Sequence, residues 1–191
     1  MDNILDLING GLGKEVVEGI TKKTDASAEQ TQAVVSNALP ALLGALKSNA
    51  SSGEGAQGLI NALSSKHDGS ILDNLSGFLG NDDDSDGNGI LGHVLGDKRS
   101  VLEQSISGKT GVSSSTVSQI LAKLAPIVMG YLGKQSRSNN VSDGGGLSDM
   151  LGGMLGGQGG GMLGGMLDQN GDGKLGVDDV GGLLGGLFGK K

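Results

Sequence analysis

The sequence predicts an all-α protein: a compact multi-helix domain with an internal helical duplication, then a glycine-rich tail. Apolar residues recur three and four apart through the first two-thirds of the chain. No segment sustains the alternation of β-branched residues that a strand needs. Gly, Asn, Asp and Ser punctuate each gap between apolar stretches.

The elements follow in order. Ile4, Leu5, Ile8 and Leu12 mark a first helix, and Val16, Val17 and Ile20 a second, short one. Ser27 opens the strongest helix, because Gln30 stands three residues on in a capping-box pattern. Val35, Leu39, Leu42, Leu43 and Leu46 line one face behind it. Shorter amphipathic pieces follow at Leu59–Leu63, Ile71–Leu79 and Ile90–Leu95.

Shifting the sequence by 86 residues aligns residues 20–46 with residues 106–132 without a gap. Ile20, Lys23, Thr24, Ser27, Pro40, Gly44 and Leu46 fall on Ile106, Lys109, Thr110, Ser113, Pro126, Gly130 and Leu132. These seven identities compare with about two expected by chance at average composition. The chain has only two prolines, and they occupy the same place in both copies. Each lies deep in an apolar helical pattern, where it removes a backbone donor and crowds the carbonyl four residues back. A kink is therefore expected near each, at 36–40 and at 122–126. Gly44 and Gly130 are expected to admit a closely packed neighbour.

Composition excludes several function classes. The absence of cysteine removes disulfides, thiolate metal sites and thiol nucleophiles. A net charge of −7, with no Lys/Arg stripe, disfavours nucleic acid and anionic membranes. One Tyr, two Phe and no Trp leave a core of Leu, Ile, Val and Ala. The opening MDNILDLING lacks the basic region and long apolar core of a secretory signal, and no stretch approaches about 18 consecutive apolar residues. A cytoplasmic location is the expectation, with export by another route left open.

Two runs then carry a family resemblance. One is Ala38-Leu39-Pro40-Ala41-Leu42-Leu43-Gly44-Ala45-Leu46, and the other is Gly89-Ile90-Leu91-Gly92-His93-Val94-Leu95-Gly96. With the second proline-bearing helix after them, they resemble the YidB-like family, bacterial domain of unknown function 937. The resemblance spans residues 1–135. It implies a compact all-α fold and a bacterial origin, and it implies no activity.

Twenty of the 39 glycines lie between Gly144 and Gly189, so composition changes near Val141. Residues 136–167 read as a flexible Gly/Met/Leu-rich linker. Residues 168–191 read as a calcium loop and a terminal helix. Asp168, Asn170 and Asp172 occupy positions 1, 3 and 5 of the twelve-residue EF-hand frame, where calcium needs oxygen ligands. Gly173 permits the bend, Lys174 offers its backbone carbonyl, Leu175 is the apolar anchor and Asp179 closes the shell. Closure by Asp resembles dockerin loops. Dockerins carry two such loops and this chain has one complete copy, so a cohesin partner is not implied.

A second acidic run, Asp82-Asp83-Asp84-Ser85-Asp86-Gly87, matches only the start of that frame; Gly89 and His93 stand where an anchor and a closing carboxylate are needed. The favoured reading is a solvated loop whose carboxylates cap the next helix at Ile90. His93 reads as a packed helix residue, since neither it nor His67 has a second His at metal spacing. Ser113 to Ser115 read as a helix start, not a nucleophile. Gly152 to Gly165 lack the ending of a phosphate loop.

No catalytic set emerges, and no enzyme is expected. The leading expectation is a helical binding module with a calcium-responsive tail. The other is an assembly protein whose Met-Leu-Gly-Gly tail mediates self-association or holds a protein partner, calcium being incidental. Membrane binding is disfavoured by Asp149, Gln158 and the sparse large apolar residues of the tail.

Overall fold

The structure is a computed structural model, and residues 10–156 are described. They are all helical: α1 (Gly11–Thr21), α2 (Ala28–Ala50), α3 (Gly53–Ser65), a 3-10 turn (Ser70–Asn74), α4 (Leu75–Gly80), α5 (Ser85–Leu95), α6 (Arg99–Thr110), α7 (Ser114–Ser138) and α8 (Gly144–Gly156). A shorter 3-10 turn, Gly96–Lys98, joins α5 to α6. The chain divides into two units after Leu151.

The helix beginnings follow from local hydrogen bonds. Ser27 caps α2 by accepting from the Gln30 N–H at 3.2 Å, and the Gln30 side chain accepts from the Ser27 N–H at 2.9 Å. Ser113 caps α7 in the same way, accepting from the Thr116 N–H at 3.1 Å. The turns before the two caps match as well. Thr24 donates its hydroxyl to the Ile20 carbonyl at 3.1 Å, and Thr110 to the Ile106 carbonyl at 2.8 Å. Helix α2 runs through Pro40 and α7 through Pro126, because the apolar stripe on either side outweighs one missing backbone bond.

The two proline helices have different places. In α2 the buried positions form a stripe, including Val34, Val35, Ala38, Leu39, Leu42 and Leu43, while Pro40 is exposed. In α7 every residue from Ile120 to Gly133 is buried, Pro126 among them. Helix α7 is the axis of the body, packed by α1, α2, α3, α5, α6 and the 70–74 turn. A helix apolar all round belongs in an interior. It is, among the described residues, the one helix long and apolar enough to cross a membrane, and 89% of its apolar window is buried in the body.

Close backbone approach fastens α5 to this axis. Proline 126 cannot donate to the Ala122 carbonyl four residues back. A Cβ built on Gly87 would lie 1.8 Å from that same oxygen. Gly87 therefore directs an α-hydrogen at the carbonyl that the proline leaves unpaired, a contact of the weak C–H···O kind. Gly87 thus sits inside a helix for packing, not in the turn of an acidic loop. The two aligned glycines differ: Gly130 meets Ile71 as expected, with a Cβ falling 2.3 Å from its Cγ2, whereas nothing lies within 4 Å of a Cβ at Gly44. The expected close approach at Gly44 is absent because α2 turns that position outward.

Two further expectations change. The 71–79 segment is not one helix, since a 3-10 turn precedes α4. The stretch read as a flexible linker holds the end of α7 and, among its described residues, α8, whose Leu147 and Leu151 are each 1% exposed. Leucines four apart suffice to seat a helix despite its glycines.

Gly87→Ala should destabilise the fold by about 2–3 kcal/mol or more, because the atom it meets is backbone and cannot rotate away. Gly44→Ala should raise stability by up to about 1 kcal/mol, the helix-propensity difference. Urea unfolding of both variants checks the contrast.

Candidate functional site

Helices α3 and α5 both pack on α7 but not extensively on each other. The gap between them is an open cleft of about 680 Å³. Its walls run antiparallel. His67, just past the end of α3, faces Asp86 in the first turn of α5. At the other end Asn49 donates to the Val94 carbonyl near the end of α5 at 3.1 Å, while a Cβ on Gly55 would lie 2.4 Å from the Asn49 carbonyl oxygen.

Leu59 and Ile90 line the middle of the cleft, with Met129 of α7 at its base. Leu59 and Ile90 are only half-buried, so these apolar residues face the cleft instead of completing the core. Polar groups gather at the ends: Lys66, His67, Ser85 and Asp86 at one, Glu54 and His93 at the other. Both histidines of the chain therefore line the same cleft.

The acidic run beside the cleft is held by the protein's own cations. Asp82 pairs with Lys23 at 2.6 Å, and Asp84 with Lys123 at 2.7 Å. Lys123 is 4% exposed, on the central helix, and its ammonium also donates to the Asn81 carbonyl. A charge so placed requires a partner. Asp83 accepts from the Ser85 N–H at 2.9 Å, and helix α5 starts there, five residues before the expected Ile90. The Lys23 ammonium holds the Asp82 carboxyl below the usual carboxylate range, and hydrogen bonds from Ser85 do the same for Asp83.

Asp82, Asp84 and Asp86 thus reach three different bases and do not converge. Among the described residues no group of three or more His, Asp or Glu side chains is arranged to hold a metal ion. The reason is in the backbone: from Ser85 onward the run is helical, so successive carboxylates diverge instead of folding inward.

His93 is not the packed residue expected of it. His93 is exposed, because the buried face of α5 is Gly87, Leu91 and Leu95. Its Nδ1 lies 2.9 Å from the Gly89 carbonyl oxygen. His67 is the buried one, at 7% exposure. Its backbone rests on α7, where a Cβ on Gly133 would lie 1.8 Å from the His67 carbonyl oxygen. Burial pushes the His67 imidazole below its ordinary value; Asp86 opposes this and Lys66 adds to it. The Nε2 to Asp86 Oδ1 separation of 3.9 Å is too long for a hydrogen bond. A neutral imidazole beside an unbonded carboxylate is a polar lining, not a charge-coupled pair. His67 could have been suspected from the apolar Leu63 one turn before it, but no motif marks it.

The candidate calcium ligands Asp168, Asn170, Asp172, Lys174 and Asp179 lie outside the described residues. Among proteins already grouped, residues 6–135 match a family described as bacterial protein of unknown function (DUF937). No curated protein and no solved structure matches the chain.

Asp84→Ala should cost about 3 kcal/mol by leaving the Lys123 ammonium buried and unpaired, and adding Lys123→Met should recover most of it. A double-mutant cycle in chemical denaturation reads this directly. His67 gives a pH dependence of known sign. Its folded pKa lies below its unfolded value near 6.5, so between the two only the unfolded chain takes the proton. Stability should therefore fall as pH drops below about 6.5 and level off below the folded value. His67→Gln should remove that part of the pH profile of Tm.

Proposed function

We propose, for a chain that belongs to the bacterial family of unknown function DUF937, that it is a non-enzymatic helical binding module with a calcium-binding loop at its C-terminus. The observation that carries the binding reading is the cleft between α3 and α5. Its volume falls in the range of small-molecule sites, and its apolar middle is flanked by a few polar groups. Against catalysis, the end that gathers Ser85, His67 and Asp86 brings His67 only to 3.9 Å from Asp86, too long for the hydrogen bond that would orient a base.

The 86-residue repeat is read as a duplicated helical unit. Support comes from the matched Ser27 and Ser113 caps and the matched threonine bonds before them. The copies have since specialised, one as an amphipathic wall and one as the axis.

The calcium reading rests on the EF-hand spacing of Asp168, Asn170, Asp172, the Lys174 carbonyl and Asp179. Closure by Asp, one methylene shorter than Glu, points to a weak site, with a Kd on the order of 10 μM to 1 mM. Such a site fills only where calcium is abundant. The tail is then the responsive part and the helical body the part that binds.

Calorimetric titration of the full chain should show one calcium bound, and Asp172→Ala should abolish it; absence of binding heat in the parent chain would overturn the calcium reading. Size-exclusion chromatography of the full chain against a truncation after Gly156, with and without calcium, separates the assembly alternative. Tail-dependent association that ignores calcium would favour assembly.

A further inference from the structure

We propose that the α3–α5 cleft takes an aliphatic amine, its alkyl body over Leu59, Ile90 and Met129 and its ammonium at Asp86. This rests on the reading of the cleft as a binding site and names the ligand chemistry.

Three carboxylates leave the acidic run at alternate residues. Two are satisfied by lysines, Asp82 by Lys23 at 2.6 Å and Asp84 by Lys123 at 2.7 Å. The third, Asp86, lines the cleft and faces only His67, at 3.9 Å. Desolvation keeps that imidazole neutral around pH 7, so Asp86 has no cation of its own. Lys66, exposed at the rim, makes no ion pair among the described residues. Glu54 adds a second carboxylate at the far end. The lining thus sets two carboxylates against one lysine, which suits a cation better than a phosphate or carboxylate.

The rest of the lining narrows the body of the ligand. No Phe, Tyr or Trp lines the cleft, so a nucleobase or other flat ring would meet only the two imidazoles, one at each end, and no stacking surface along the apolar middle. No arginine is present to take an oxyanion bidentately. What remains is an aliphatic strip, a pliable methionine at its base, and glycines at 55, 58 and 89 that leave the walls low. An alkyl chain fills such a strip. A charge-assisted bond from its ammonium to Asp86 supplies the orientation.

His67 tunes the site. The charged and titratable groups around it are Lys66 and Asp68 beside it in the chain, Asp68 pairing with Arg137 of α7 at 3.5 Å, and Asp86 across the cleft, with Glu54 and His93 at the far end; α7 also presents Met129 and Gly133 there. When His67 is protonated it supplies Asp86 with a cation and repels the incoming one. Amine binding therefore weakens on acidification.

The test is two-dimensional NMR of the full chain with octylamine, octanoate and octanol in turn, and with a mixed fragment set. The expected result is that octylamine shifts the amides of Ala62, Gly89 and Ile90 and binds at least about tenfold more tightly than octanoate. Asp86→Asn should lower octylamine affinity about tenfold, and Ile90→Gln should lower it with Asp86 intact. His67→Gln should remove the weakening seen between pH 7.5 and 5.5. Equal affinity for octylamine and octanoate, or indifference to both Asp86→Asn and Ile90→Gln in folded variants, overturns the amine proposal. If octanol or fragments shift the cleft amides while octylamine does not, the ligand chemistry is wrong and the binding module stands. If nothing shifts them, both fall.

Discussion

The joint between α5 and α7 is the constraint on which the remaining geometry depends. Pro126 removes the donor that would have met the Ala122 carbonyl, and Gly87 brings its backbone onto that oxygen. One residue along α7, Lys123 places an ammonium in the interior and holds Asp84 and the Asn81 carbonyl. One helix thus carries a freed acceptor and an adjacent buried cation, and the start of α5 supplies the complement to each. Neither feature would be tolerable alone in a packed interior, where an unpaired polar group is costly.

From that joint the cleft follows. With Gly87 seated on α7, Asp86 is turned toward α3 and Leu91 and Leu95 are turned into the core. Arg99 secures the other side, bonding Glu103, Asn88 and Ser118 each at 2.8 Å and so tying α6 to α5 and α7. Helix α3 is anchored separately, through the approach of Gly133 to the His67 turn. Two walls are thereby fixed to one axis by independent contacts. The space between them stays open because the residues that could close it, Leu59 and Ile90, are too few to bring the walls together against those anchors.

The two proline-bearing helices illustrate a limit of sequence pattern. Pro40 and Pro126 share a register, a serine cap and an apolar stripe, yet one is on the surface and the other inside. A carbonyl freed at Ser36 faces water and needs no partner; a carbonyl freed at Ala122 is buried and receives one. Gly44 and Gly130 differ for the same reason, open space at the first and Ile71 at the second. What distinguishes the two helices is what packs against them, and that is contributed by distant parts of the chain.

The helical fold, the starts of α2 and α7 and the passage of both through proline were legible in the residues themselves. They rest on bonds between neighbours three and four positions apart, and such bonds are written in local spacing. The cleft was not legible. Leu59 and Ile90 have the spacing of core residues, His67 has no motif, and the acidic run has the opening of a metal loop. Their roles depend on Lys23, Lys123 and α7, between about forty and seventy residues away in sequence. Periodicity tells which side of a helix is apolar, but it does not tell whether that side meets the core or an opening. Only the tertiary structure decided that, because it alone sets how far α3 and α5 stand apart on α7.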